Sequence, residues 1–334
     1  MPAELAARDL FAAIGNTPML RLENLSKAIG RTILGKCEFM NPGGSVKDRA
    51  AKFIIEDAEA NGRLAPASTI VEGTAGNTGI ALAMLGNARG YRTVIFIPDD
   101  QAPEKIEVLR VFGADVRLVP SVPFADENNY YHQARAFARA TPNAFWADQF
   151  NNPANRRAHV EGTGPEIWRQ AGPAIDAFVA APGTGGTIAG VSVALKQRKP
   201  DVKTVLADPM GSSLYSYVKH GTLDSEGDSI AEGIGIKRIT ENFKGAPVDD
   251  AVRVDDRAMV EMARYLVREE GLLLGGSSAV NVVAAARVAR DLPAGSTVVT
   301  VLCDGGQRYR TRLYDDAWLA HNDLTPRAKG LSFL

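Results

Sequence analysis

Short apolar runs at residues 69–71, 93–97, 116–119, 177–180, 204–207 and 297–302 are interspersed with helix-period segments at 48–60, 78–88, 104–112, 187–198, 256–269 and 279–289. Where a helix carries the chain from one strand to the next, the strands run the same way. The pattern therefore predicts an α/β fold built on a mostly parallel sheet. At 334 residues the chain is long for a single core, and two domains are expected. No internal repeat or low-complexity tract interrupts the pattern. Open α/β sheets bind ligands just beyond the carboxyl ends of their strands, at the strand-to-helix turns. Three such turns here are rich in Gly, Ser, Thr and Asn, and they carry the functional reading.

Bulk properties narrow the partners. A formal net charge of -1 leaves no global basic field for nucleic acid or an anionic membrane, so small metabolites remain. Cys37 and Cys303 are far apart and form no Cys-x-x-Cys unit, a usage that fits a reducing cytoplasm. The start, Met1-Pro2-Ala3-Glu4, lacks the basic and then apolar pattern of a signal peptide. No run approaches the roughly 18 apolar residues of a membrane span. A cytoplasmic, soluble protein is expected. His132, His159, His220 and His321 show no ligand spacing, and no metal site is expected.

The strand at 177–180 runs into Pro182-Gly183-Thr184-Gly185-Gly186-Thr187 and then a helical pattern. Glycines let the backbone turn tightly and approach a ligand, and the helix start directs N–H groups and a positive dipole end at one spot. A tight turn with no ligand has the same glycines, but Thr184 and Thr187 add hydroxyls that favour a phosphate. The spacing is not Gly-x-Gly-x-x-Gly, and no acidic ribose partner follows about twenty residues on. Gly30-Arg31-Thr32-Ile33-Leu34-Gly35-Lys36 has nucleotide P-loop spacing. Cys37 stands where Ser or Thr is required, however, and the interior reads as a strand, so nucleotide binding is not expected.

The second turn is Asn41-Pro42-Gly43-Gly44-Ser45-Val46-Lys47-Asp48-Arg49. A lysine at a helix start feels the positive dipole end, which favours the neutral amine that attacks an aldehyde. The third, Glu72-Gly73-Thr74-Ala75-Gly76-Asn77-Thr78-Gly79, suits a carboxylate, with Asn77 free to bond a phenolic oxygen. Its other reading is a helix capped by Thr74 or Asn77. Gly275-Gly276-Ser277-Ser278-Ala279 opens the helix near residue 279, where Ser277 also reads as an N-cap.

In this order and spacing the four motifs resemble the cysteine synthase family, which comprises O-acetylserine sulfhydrylases and the related cystathionine β-synthases of the fold type II pyridoxal phosphate class. The resemblance runs from Ile14-Gly15-Asn16-Thr17-Pro18 through Gln149-Phe150-Asn151-Asn152-Pro153-Ala154-Asn155 and Gly164-Pro165-Glu166-Ile167-Trp168. It ends at Asp304-Gly305-Gly306-Gln307-Arg308-Tyr309. It implies two open, mostly parallel twisted sheets flanked by helices. It also implies a large cofactor-binding domain of residues 1–40 and 152–334, a small domain of residues 41–151 that closes on substrate, and a homodimer.

By matching position, Lys47 resembles the lysine that holds pyridoxal 5'-phosphate as a Schiff base and later removes the Cα proton. Asn77 resembles the contact to the ring hydroxyl, and Ser277 the residue facing the pyridine nitrogen. Gly183, Thr184, Gly185, Gly186 and Thr187 resemble the phosphate loop. Thr74, Ala75, Gly76, Thr78 and Gln149 fall where the family binds the substrate carboxylate. Relatives have Pro-Thr-Ser-Gly-Asn where this chain has Gly73-Thr74-Ala75-Gly76-Asn77, so a carboxylate-binding hydroxyl is missing at Ala75. The paired glycines before Ser277 and the run Glu232-Gly233-Ile234-Gly235 resemble cystathionine β-synthase, but its N-terminal haem segment and C-terminal regulatory module are not expected.

The activity implied is synthesis of L-cysteine from O-acetylserine and sulfide through an aminoacrylate. Two alternatives stand beside it: a cysteine desulfhydrase releasing sulfide, pyruvate and ammonia, and cystathionine β-synthase-like β-replacement. Intact Lys47 argues against a non-catalytic scaffold. The partners implied are a small amino acid and sulfide or a thiol, with a serine acetyltransferase as candidate protein partner.

Overall fold

The computed structural model describes residues 6–334. Ten strands form: β1 (Met19–Arg21), β2 (Thr32–Cys37), β3 (Thr69–Gly73), β4 (Arg92–Pro98), β5 (Asp115–Val119), β6 (Ala144–Trp146), β7 (Ile175–Ala180), β8 (Lys203–Pro209), β9 (Asp250–Val254) and β10 (Thr297–Leu302). They make two sheets. The larger has the order β1-β2-β10-β7-β8-β9 and the smaller β5-β4-β3-β6. Every pairing is parallel except β1 with β2, so both sheets are open and mostly parallel as the alternation predicts. Six consecutive residues of β4, Thr93 to Pro98, are buried, the signature of a strand covered on both faces.

The chain starts in the large sheet, leaves it after β2, builds the small sheet between residues 69 and 146, and returns at β7. Each strand read from the sequence is present. Helix ends differ by a few residues at most, and one difference matters. The helix read as starting near 279 begins at Gly276, which places Ser277 inside its first turn. The P-loop-like segment is the strand β2, preceded by Gly30 in the left-handed conformation at the end of helix Glu23–Ile29. Among the described residues no helix is long and apolar enough to cross a membrane.

A buried ionic cluster joins the two parts of the chain. Lys36 on β2 donates to Glu166 at 2.7 Å. Arg49 holds Glu38 through Nε at 2.6 Å and Nη2 at 2.8 Å, and reaches Glu166 at 2.8 and 2.7 Å. Thr17 and the Asn16 N–H complete the shell, donating to Glu38 and Glu166 respectively. Burial alone raises the Glu166 carboxyl, but Arg49 and Lys36 outweigh it and hold the pKa at about 2.

A pH dependence follows. The Glu166 pKa rises from about 2 to its ordinary 4.5 on unfolding, so its stabilisation is complete above about 4.5 and is lost as the pH falls toward 2. Glu166→Gln should cost about 3 kcal/mol at neutral pH. It should also flatten the acid limb of the stability curve. Chemical denaturation of parent and variant across that range checks this, and parallel curves would remove Glu166 from the acid response.

Candidate active site

Three strand-to-helix turns and the turn that joins helices Asp256–Glu270 and Gly276–Asp291 meet in one cavity between the two sheets. The turn after β7 leads into helix Gly186–Lys196. Gly185 has φ of +84°, and a Cβ there would stand 2.5 Å from Phe243 Cβ. Side chains at Gly183 and Gly186 would strike the Gly233 carbonyl and the Asn155 amide. All three glycines are therefore required by close approach, and Gly185 by its left-handed backbone as well. Thr184 is held by Asn155, whose amide donates to its Oγ at 2.8 Å, and by Thr240, which donates to its carbonyl at 2.7 Å. Thr187 shares a hydrogen bond with His159 Nε2 at 3.2 Å, and His159 Nδ1 bonds Thr163 at 2.9 Å. Burial foremost, with Arg49 and Lys47 nearby, pushes the His159 pKa well below its ordinary value and keeps the ring neutral. The cradle thus offers hydroxyls and helix-start N–H groups, which is chemistry for a phosphate.

Lys47 is the first residue of helix Lys47–Ala60, as the sequence predicts. Its amine faces the cavity and has no hydrogen-bond partner among the described residues. Burial is the first cause of its lowered pKa; Lys105 adds to it, and Cys303 and Asp304 oppose it. An amine placed this way is a nucleophile waiting for a carbonyl.

Across the cavity, Gly76 has φ of +129° and packs against the Lys105 stem. Thr74 Oγ1 accepts from the Gly76 N–H at 3.1 Å, leaving the Thr74 O–H free to donate elsewhere. Thr78 donates to Gln149 Oε1 at 2.5 Å, and the Gln149 amide donates to the Gly73 carbonyl at 3.1 Å. Asn77 Nδ2 donates to Asp304 Oδ2 at 2.6 Å, and its Oδ1 accepts from Arg308 at 2.6 Å. The helix-cap readings do not hold. Helices Asn77–Arg89 and Gly276–Asp291 are capped by Gly76 and Gly275 with no side-chain bond, and Ser277 lines the cavity instead.

The structure brings together Lys47, Thr74, Ala75, Gly76, Asn77, Thr78, Gln149, Gly183, Thr184, Gly185, Thr187 and Ser277; Gly186 supports the cradle from behind. The cavity holds about 140 Å³. A water needs about 10–15 Å³ in such a measure, so the space suits an organic cofactor rather than a single solvent molecule. Sequence reasoning missed Lys105, Tyr130, Asn281 and Cys303 as lining residues. Glu232 also lines it, gripping Lys105 at 2.7 Å and Arg312 at 3.1 Å. Its only sequence signal was the Glu232-Gly233-Ile234-Gly235 run. Burial pushes the Cys303 thiol up to about 12, so it is neutral beside Ser277. Among the described residues no cluster of His, Cys, Asp and Glu is arranged to hold a metal.

A partner-free, half-buried amine facing an anion cradle suits a phosphate-bearing aldehyde. Residues 10–304 match the family described as pyridoxal-phosphate dependent enzyme, and the chain belongs to it. Cysteine synthase 1 of Neurospora crassa is 52% identical over 96% of this chain and 87% of its own length. Cysteine synthase 1 of Emericella nidulans is 51% identical over 94% and 86%. Among solved structures, the O-acetylserine dependent cystathionine β-synthase of Helicobacter pylori superposes with a TM-score of 0.84. It is 33% identical and covers 92% of this chain and 98% of its own. The protein is a pyridoxal-phosphate-dependent enzyme.

Gly185→Leu tests the cradle. The side chain has no room against Phe243 and the backbone no relaxed conformation, so cofactor affinity should collapse while the apoprotein stays folded. Titration of the apoprotein with pyridoxal phosphate reads this directly, and parental affinity would mean the phosphate is held elsewhere.

Proposed function

We propose that the protein is a cysteine synthase, making L-cysteine from O-acetylserine and sulfide. The observation that carries the reading is the free Lys47 amine, set between the phosphate cradle and the Thr74–Thr78 turn, in a chain half identical to named cysteine synthases. Pyridoxal phosphate, when bound, supplies the electron sink that lets the substrate lose its Cα proton and its β-substituent.

The chain's own residues do the rest. Lys47 would hold the cofactor covalently, and its amine, when free, would take the Cα proton of the substrate. Gly183, Thr184, Gly185, Gly186 and Thr187 receive the phosphate through N–H groups and hydroxyls. Thr74, Ala75, Gly76, Thr78 and Gln149 present backbone and side-chain donors to the substrate carboxylate. Asn77 donates to the ring hydroxyl oxygen. Ser277 would offer the ring nitrogen a neutral hydroxyl, which would leave that nitrogen unprotonated and restrain reactions needing a long-lived carbanion.

On this reading residues 1–40 and 152–334 form the cofactor domain, and residues 41–151 the small domain that closes on substrate. Two contacts that opening would break support the division. One is Lys105 with Glu232 at 2.7 Å, and the other is Arg238 stacked 3.7 Å from the Phe124 ring. A homodimer fits the exposed Met40 and Leu273, the latter lining a surface hollow with the neighbouring Phe39. Free Cys37 and Cys303 agree with a cytoplasmic setting. A serine acetyltransferase, the class of enzyme that makes O-acetylserine, is the candidate protein partner.

Product analysis tests the function. O-Acetylserine with sulfide should give cysteine, and cysteine alone should release little sulfide. Rapid sulfide release from cysteine, with O-acetylserine ignored, would replace synthase by desulfhydrase. Lys47→Ala should abolish turnover and the borohydride-reducible cofactor linkage while leaving the fold unchanged. Ala75→Ser should alter KM for O-acetylserine by less than about threefold, because the Thr74 hydroxyl hydrogen is free for the carboxylate. An uncompensated loss of one such bond is worth about tenfold or more, and a change of that size on restoring the serine would show that nothing compensates.

A further inference from the structure

Asn77 is an amide held on its two sides by groups of opposite charge. Its Nδ2 donates to the Asp304 carboxylate at 2.6 Å and its Oδ1 accepts from the Arg308 guanidinium at 2.6 Å. A flipped amide would set N–H against guanidinium and oxygen against carboxylate, two repulsive contacts in place of two charge-assisted bonds. Only one orientation survives, and it leaves the second Nδ2 hydrogen for whatever occupies the cavity.

The two charged residues are themselves fixed. Asp304 is fully buried, and the same oxygen that receives Asn77 also accepts from Tyr309 OH at 2.6 Å. Its backbone bridges to Ser45 of the lysine turn, and its carbonyl accepts from Gly275 N–H at 3.0 Å. Gly275 has no side chain because a Cβ would collide with Asp304 Oδ1. Arg308 donates with its other nitrogen to the Gly43 carbonyl, again in the lysine turn. One short segment, residues 303–309, therefore ties the Asn77 amide to the lysine and serine turns.

We propose that Asp304 and Arg308 are positioning residues that lock the Asn77 amide so that its free N–H is offered to the phenolic oxygen of the cofactor. The inference rests on the assignment of Asn77 to that oxygen. With the lock removed, the amide turns and an acceptor oxygen faces the phenolic oxygen for part of the time.

The test uses the holoenzyme and three variants: Asp304→Ala, Asp304→Asn and Arg308→Met. Visible absorbance across pH, cofactor dissociation constant and thermal midpoint are measured for each. Asp304→Ala and Arg308→Met should shift the cofactor band and its pH profile and weaken cofactor binding by about tenfold, the ratio for one such hydrogen bond. Asp304→Asn should keep the parental spectrum, since one amide oxygen can accept from both Asn77 and Tyr309 as Oδ2 does. Arg308 is only half-buried, so Arg308→Met reports even if Asp304→Ala does not fold. Parental spectra and affinity with only a lowered thermal midpoint would overturn the proposal and leave Asp304 and Arg308 as structural ties. Borohydride reduction and peptide mapping of the parent keep the two readings apart. A linkage at Lys47 with unchanged variants sinks the lock alone, whereas no linkage sinks the site assignment and the lock with it.

Discussion

Two acids and two bases buried side by side fix where Lys47 stands. Arg49 lies two residues after Lys47, and its guanidinium spans Glu38 behind β2 and Glu166 on helix Gly164–Ala171, where Lys36 also ends. The cluster is neutral overall, which is the condition for burying four charges at tolerable cost. Its value to this fold is specificity more than stability. A helix start shifted by one residue would leave Glu38 and Glu166 facing no guanidinium, and an uncompensated buried charge costs about 3–5 kcal/mol. The Lys47 amine is thereby indexed to the large sheet, and so to the glycine-rich turn that the same sheet carries at the end of β7.

The second constraint is steric. Turns from residues 43–47, 74–78, 183–187 and 275–277 converge, and at each a glycine stands where a Cβ would meet another segment: Arg308 at Gly44, Lys105 at Gly76, Phe243 at Gly185, Asp304 at Gly275. Glycines that look interchangeable in the sequence thus do separate work, each admitting one specific neighbour. Ala and Val crowd helix Gly276–Asp291 for a related reason. It is buried almost all round, between the large sheet and helix Asp256–Glu270, and only small side chains allow that approach.

What could be read in advance was what is local. The strands have β-branched apolar runs, and the turns have Gly, Ser and Thr next to helical periodicity, so fold class and most of the site were legible. The start of the helix at Gly276 was misplaced because Gly276, Ser277 and Ser278 are weak helix formers, held helical by burial rather than propensity. Ser277 consequently reads as a cap in sequence and lines a cavity in structure. Lys105 and His159 gave no signal of their own, and Asp304 stood out only as the start of the Asp304–Tyr309 run, with no role attached. Each acts through a partner far along the chain, Glu232, Thr187 and Asn77 respectively, and one-dimensional spacing carries nothing about such pairs.

The charge state of the cavity follows from the same burial. Lys47 is pushed toward its neutral form, His159 is kept neutral, and the Cys303 thiol and Tyr309 phenol are kept protonated, each chiefly by loss of solvent. Near the cavity Glu232 pairs with both Lys105 and Arg312, a cluster that keeps one net positive charge. Among the described residues no arginine lines the cavity; beside the lysines Lys47 and Lys105, an anion entering it meets N–H groups, hydroxyls and a helix start. Oriented dipoles of this kind do not titrate. On the proposed assignment of Lys47 and the glycine-rich turn, the grip on phosphate and carboxylate would stay constant while the Lys47 amine gained and lost its proton.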